Sequence, residues 1–491
     1  MITDKYSTFL RAGFGGILAG VGLSQGGILL MPLAIAFLWS SSRFPLAGSI
    51  WGAVAVLISH RWLLALHPLM WMGVSQPFSL FITISIWLFC GLLGAFLSAL
   101  WCWLGRLNFL VDARNGCFKR KFLYAFVLSA CWGLGENVLA QSPLLWVGIS
   151  SSLLPGDRLL AGLSSWFGSS GLTTVQFLVG WWLWQTGILF KSQNNWQRFF
   201  SFGLAALVFA HLFGWALLEK EIFSSSKAVA IWQSAIPTRE KFSIDQLRRL
   251  PFSLEQALKE ANVLGASFMV APEGTLPIGQ ELLSPAQIPL LSGGFRADKG
   301  NQRSSLLVFK KDQTTFTDFV DKYRLVPLGE WIPPLPGLSI PGLSSIGGIE
   351  PGESSRLLIW DGPPIAVAIC YEITNGNGLS KAVKDGAQWI LAIANLDPYP
   401  ISLQKQFLAL AQMRSIESAR DLITVSNTGP STMISADGSI TPVIPPFKQK
   451  VGLASLHFSE KITPYVRWGE KPLIVFLIAG IFGLFFLEPK A

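Results

Sequence analysis

The distribution of apolar residues most constrains this chain. Residues 9 to 218 run as apolar stretches separated by short polar loops, whereas residues 219 to 471 have the mixed composition of a globular domain. With 51% hydrophobic and 14% charged residues, 20 Trp and 35 Phe in 491 residues, the chain is too apolar for an ordinary soluble protein of its length. Candidate membrane spans are 9–24, 28–39, 46–66, 79–104, 122–140, 163–190 and 199–218, with an eighth at 473–487. The first two are short and Gly-rich, a pattern that suits a tight hairpin. The expected division is a bundle of about seven transmembrane helices over 1–220, a domain over 221–471 long enough to bury its own core, and a C-terminal transmembrane helix with a short tail over 472–491.

Basic residues orient the spans. With the N-terminus inside, the inside segments carry Lys5, Arg11, Arg43, Arg106, Arg114, Lys119, Arg120, Lys121, Lys191 and Arg198, against Arg61 and Arg158 in short outside loops. This bias follows the positive-inside pattern, and seven spans then put the domain on the outer face. The net charge of +9 comes mostly from these loops, so it calls for no nucleic-acid partner. No cleavable signal peptide is expected, because the first apolar run leads into further spans.

The domain alternates strand and helix patterns. Strands are expected at 228–236, at 267–274 where Pro272 stops the run, and at 288–295, 304–310, 364–370, 388–394, 422–427 and 431–436. Helices are expected at 253–265, 376–386 and 402–420. The fold class is therefore α/β, with layered, buried sheets.

Four of the five cysteines lie in the membrane part, and Cys370 stands alone in the domain, where IAVAICYEITNG (365–376) reads as a buried strand ending in a turn. A lone thiol outside the cell has no disulfide partner in its domain. It is either a small buried hydrophobe or a nucleophile, and a nucleophile needs a base or cation beside it. His457 is the domain's one histidine, so a Cys-His dyad rests on it alone. Glu273 in MVAPEGTLP, Lys322 in DKYRLVPLGEW and Glu330 are the other charged groups at strand ends, although each has an ordinary structural explanation when taken singly. No Cys/His cluster has metal-ligand spacing and no Gly-rich phosphate loop occurs, so neither metal nor cofactor is expected. Glu136 and Arg158 in the membrane part suit either lipid head groups or helix packing.

The order PEG…KYRLVPLGE…CYE resembles the nitrilase superfamily. Combined with the spans, it resembles the apolipoprotein N-acyltransferase family across the whole architecture, and QMRSIESARDLITVSNTGPSTMISADGSI (412–440) and TPYVRWGEKP (463–472) fit that family's later segments. The resemblance implies a nitrilase-like αββα sandwich attached to an all-α transmembrane bundle. It implies a catalytic triad with Glu273 as general base, Lys322 as the cation that stabilises thiolate and oxyanion, and Cys370 as nucleophile. Glu330, Tyr371 and Glu372 match supporting positions. The implied reaction moves an acyl chain from a membrane phospholipid, through a cysteine thioester, to the N-terminal diacylglyceryl cysteine of a lipoprotein.

Such an enzyme is expected to be a monomer in a bacterial inner membrane, with its catalytic domain on the periplasmic face. The apolar loop GEWIPPLPGLSIPGL would supply either a lid with acyl contacts or a proline-rich structural loop. Two departures bear on substrate choice: ANLDPYP (394–400) replaces the family's usual Asn-Asp-x-Trp-Phe, and Phe242 stands where a tryptophan is usual. The same triad would also serve a membrane-tethered amidase, and a silent domain would make the chain a lipid-binding scaffold.

Overall fold

In the computed structural model, residues 2–69, 74–142, 145–218, 226–241, 243–327, 329–331 and 348–486 are described. The N-terminal part is helical: α1 (Ile2–Gln25), α2 (Leu30–Ser41), α3 (Pro45–Ser59), α4 (Gln76–Leu104), α5 (Asn108–Asn115), α6 (Phe118–Gln141), α7 (Arg158–Ala161), α8 (Ser164–Lys191) and α9 (Trp196–Leu217). Among the described residues α4, α6 and α9 are long and apolar enough to cross a membrane. The 12 residues of α2 rise only about 18 Å, short of a hydrocarbon core of roughly 30 Å. As the Gly-rich pattern suggests, α1 and α2 pack together across a turn at Gly26, whose φ of 84° favours glycine. However, α1 is not short, since it begins at Ile2 and runs 24 residues.

The expected span 46–66 is not one helix. The α3 helix ends at Ser59, and Arg61–Leu66 forms a 3-10 turn that buries Trp62 and Leu63 against Leu403 and Tyr399 of the domain. Packing across that seam overrides the local apolar pattern. Tryptophans join the helices by burying their rings and donating to a neighbour's carbonyl: Trp39 to Phe177 O, Trp51 to Ala34 O and Trp101 to Leu128 O, each at 2.9 Å. Gly52 and Gly94 let the backbones of α3 and α4 touch, where a Cβ on either would strike the other's carbonyl.

The remainder is α/β: β1 (Ser226–Gln233), α10 (Ile244–Val263), β2 (Phe268–Leu276), β3 (Leu290–Asp298), β4 (Asn301–Phe309), β5 (Asp318–Asp321), β6 (Leu357–Leu358), β7 (Ile365–Ile369), α11 (Gly376–Lys384), β8 (Trp389–Ala394), α12 (Ile401–Ser418), β9 (Leu422–Ser426), β10 (Ser431–Ile434), β11 (Ile440–Ile444), β12 (Lys450–His457), α13 (Pro464–Trp468) and α14 (Lys471–Phe486). Two six-stranded sheets form, in the orders β12-β1-β2-β3-β4-β5 and β11-β10-β9-β8-β7-β6. Strand periodicity sorts the side chains. Val229, Ile231, Val270, Val367, Ile369 and Leu391 meet between the sheets. Their neighbours Ala230 and Met269 pack against Leu254 and Leu258 of α10, while Ala366 and Ala392 pack with Leu379 of α11 and Phe407 of α12. The result is helix, sheet, sheet, helix.

One proline expected to act as a breaker does not. The β2 strand continues through Pro272 to Leu276, because its pairing with β3 shifts register between Ala271 and Leu276 and the missing N–H falls in that irregularity. The α10 helix starts nine residues before the expected 253, capped by the Ser243 side chain, and passes through Pro251.

The buried helix α12 couples the two parts. Phe407, Leu410 and Ala411 face the sheet, while Ala409, Met413 and Ile416 pack on Leu153, Leu160 and Leu172 of the helical part. Glu417 reaches α8 where Gly168 kinks it (φ 64°), and the Ser169 N–H freed there donates to the Glu417 carboxylate at 2.8 Å.

Candidate active site

Cys370 follows the last residue of β7, takes φ 57° and opens a 3-10 turn over Cys370–Thr374. A left-handed conformation is costly for a residue with a Cβ, and here it swings the thiol out of the sheet at the strand's end. Glu372 holds the turn. Its Oε2 accepts the Ile369 N–H at 2.9 Å and its Oε1 accepts the Tyr323 and Arg324 N–H groups at 2.8 and 3.1 Å, while Arg356 neutralises it at 3.1 Å. One buried carboxylate therefore ties the turn beginning at Cys370 to the residues following Lys322. Tyr371 adds a second tie, its hydroxyl donating to Leu325 O.

Lys322 leaves the end of β5 with 1% of its side chain exposed, and its ammonium donates to Glu273 Oε1 and Glu330 Oε1, both at 2.7 Å. Glu330 is steadied by the Val326 N–H on Oε2 at 2.9 Å. Glu273 sits inside β2, its Oε2 accepting the Asn395 N–H at 3.1 Å. The charges of all three bear on the Cys370 sulfur.

The electrostatics set the resting state. Burial pushes the Cys370 thiol well above its usual range, and the carboxylates of Glu273 and Glu330 add to that rise, outweighing the opposing pull of Lys322. Lys322 does pull the thiol's pKa down, as a cation beside a thiol should, but burial and two carboxylates oppose it and the net direction is upward. Burial opposes the charge on Lys322, but Glu273, Glu330 and Cys370 together hold its pKa well above the lysine range. Burial also raises Glu330, with Lys322 opposing. This arrangement suits proton removal by a neighbouring carboxylate at the moment of attack, rather than a standing thiolate.

Several contributors escape sequence reasoning. The Lys241 ammonium is buried and donates to the Glu273 carbonyl oxygen at 3.0 Å; burial lowers its pKa to about 8. The ANLDPYP segment supplies the Asn395 N–H and lies beside the β1 end, with Asn395 Nδ2 on Thr238 Oγ1 and the Thr238 N–H on Asp397 Oδ2, both at 2.7 Å. Tyr399 of the same segment packs edge-on to Trp62 at 5.3 Å. The altered loop is therefore part of the site, although nothing in ANLDPYP marks Asn395 as a backbone donor. Phe242 and residues 332–343, most of the proposed lid, lie outside the described residues.

Arg324 connects the site to the helices. Its guanidinium donates to Thr374 Oγ1 at 2.9 Å and to Ser142 O just past α6, and Thr374 Oγ1 donates to Ala140 O at 3.4 Å. His457 is not brought to the thiol; it pairs with Asp421 at 3.1 Å. Glu136 accepts from Ile149 N at 3.0 Å and Thr173 Oγ1 at 3.1 Å, and Arg158 pairs with Asp437 at 2.8 Å, so both serve packing. Among the described residues no group of three His, Cys, Asp or Glu could hold a metal ion.

Comparison with known proteins places this geometry in context. The model of the carbon-nitrogen hydrolase family matches residues 252–461. Over 488 residues, covering 99% of both chains, the sequence is 55% identical to the apolipoprotein N-acyltransferase of Prochlorococcus marinus (strain SARG). It is 53% identical to the enzyme of that name from Prochlorococcus marinus (strain MIT 9313) over 99% of this chain and 97% of the other. It is 46% identical to that of Parasynechococcus marenigrum (strain WH8102), over 93% and 96%.

Proposed function

Because this chain belongs to the apolipoprotein N-acyltransferase family, we propose that it moves an acyl chain from a membrane phospholipid to the α-amino group of a lipoprotein's N-terminal diacylglyceryl cysteine, using Cys370 as the carrier. The observation that best supports this assignment of roles is the convergence of Glu273, Lys322 and Glu330 on one sulfur.

In the first half-reaction Glu273 takes the thiol proton as Sγ attacks the ester carbonyl carbon. Negative charge then develops on the carbonyl oxygen. Lys322 has three N–H donors, of which two meet Glu273 and Glu330, so the third serves that oxygen. The tetrahedral intermediate collapses, the C–O bond breaks, and the leaving alkoxide takes the proton back from Glu273. The products are a thioester and a lysophospholipid. In the second half-reaction the lipoprotein amine attacks the thioester, Glu273 takes the amine's proton, and the C–S bond breaks as the proton returns to sulfur. Glu330 keeps Lys322 in place throughout.

Water competes with the amine for the thioester, so exclusion of water separates a transferase from a lipase. Both substrates are lipid-anchored, which accounts for a catalytic domain fused to apolar helices. We assign 1–220 to a transmembrane bundle of about seven helices, 221–471 to the catalytic domain and 472–491 to a last span and tail, with a monomeric chain in the bacterial inner membrane. The basic-residue bias supports a domain on the periplasmic side.

The test is a product assay on the full chain in detergent with defined phospholipid and a diacylglyceryl peptide. N-acylated peptide and lysophospholipid in equal amounts support the proposal. Ammonia release from small amides, without lysophospholipid, would turn the reading to an amidase.

A further inference from the structure

Where α1 meets α12, apart from the catalytic groups, a cavity of about 320 Å³ opens between Leu23, Gln25, Leu154, Lys405, Gln406 and Leu408. Its size is at the lower end of small-molecule sites, whereas cavities at neighbouring helix seams hold about 20 to 30 Å³, room for a water or two. Neither Cys370 nor any of the carboxylates and lysines around it lines this space.

Two polar groups border it, one structural and one at the rim. Gln406 is 2% exposed, and its Nε2 donates to Leu23 O at 3.1 Å and Ser59 O at 3.0 Å. Those two carbonyls fix which end of the amide is nitrogen. Its Oε1 is buried away from the cavity, so this amide joins α12 to α1 and leaves the recognition of an occupant to the rim. At the rim the Lys405 ammonium donates to Gln25 Oε1 at 3.0 Å, and among the described residues no carboxylate lines the cavity to neutralise it. The remaining wall is largely apolar.

A cation with no carboxylate beside it and apolar flanks together match a phosphodiester that continues into hydrocarbon. We propose that this cavity holds the head group of a membrane phospholipid, with its phosphate on Lys405 and its glycerol and first methylenes against Leu23, Leu154 and Leu408. Basic pockets beside membrane helices bind head groups in this way. The inference rests on reading the helical part as membrane-embedded. Because α12 also packs on the turn that begins at Cys370, a lipid held here would clamp the catalytic domain to α1 without entering the reaction.

The test is native mass spectrometry of the delipidated full chain, titrated separately with phosphatidylglycerol and with free glycerol phosphate. Lys405→Glu reverses an exposed charge, and Leu408→Trp fills the cavity. Acyl loading of Cys370 is measured in parallel on each variant as a control for folding and chemistry. The expected result is a saturable phosphatidylglycerol adduct on the parent chain, weakened about tenfold or more in both variants, with Cys370 still loaded. Glycerol phosphate binding with the same sensitivity would support the phosphate chemistry while pointing to a soluble source. An adduct equally strong in both variants, or none on the parent chain, would overturn the proposal and leave the acyl-transfer reading untouched.

Discussion

The Lys322 ammonium and the Glu273 carboxylate, 49 residues apart in sequence, meet at 2.7 Å beside the Cys370 sulfur. The ammonium is also 2.7 Å from Glu330, so the site holds one lysine between two acids. A buried lysine in that position stays charged, and the thiol it faces stays protonated.

Glu273→Gln should therefore separate acidity from activity. Removing the carboxylate removes a negative charge that raises the Cys370 pKa, so the thiol should ionise at lower pH than in the parent. The general base goes with it, and acyl loading should fall by roughly a hundredfold to ten-thousandfold. Alkylation rate against pH gives the first quantity and burst-phase loading the second. A thiol that becomes harder to ionise would contradict the assigned electrostatics.

Lys241 predicts a pH dependence. Its ammonium lies against Glu273, burial lowers its pKa to about 8, and its positive charge is lost as pH rises through that value. A positive charge there opposes proton uptake by Glu273, so loading should accelerate through an inflection near pH 8. Lys241→Met should lose that inflection while the rest of the profile remains.

Glu330 should act through Lys322. Glu330→Gln retains an oxygen for the ammonium and should cost about tenfold in loading rate. Glu330→Ala leaves the ammonium with one carboxylate and should cost about a hundredfold or more. Equal effects from the two substitutions would show that charge alone matters there.

How much of this was legible beforehand differs by element. Continuous apolar runs located strands such as β7 and β8, because both of their faces are buried. The proposed triad positions came from motif order, since separations of 49 and 48 residues carry no geometry. What was missed depended on tertiary context. Pro272 looked like a terminator because the shift in pairing with β3 is invisible in one strand. The segment after His60 looked like more helix because Leu403 and Tyr399, which draw Trp62 and Leu63 aside, lie over 300 residues away. Nothing in TREKF sets Lys241 apart, and Asn395 contributes a backbone N–H, which every residue but proline has.

Arg324→Met should loosen the join between the site and α6. It removes donors to Thr374 and to Ser142 O, a loss of about 1–3 kcal/mol. The expected outcome is a lower unfolding temperature in detergent and a reduced loading rate, both partly restored by Lys. An unchanged rate with a lowered unfolding temperature would confine Arg324 to stability.

The most direct measurement is the intact mass of the full chain after exposure to a phospholipid of defined acyl chain, without acceptor. The account predicts an added mass equal to that acyl group, localised to Cys370, discharged by the diacylglyceryl peptide and absent in Cys370→Ala. An adduct that persists in Cys370→Ala, or a parent chain that releases lysophospholipid yet never carries the acyl mass, would contradict it.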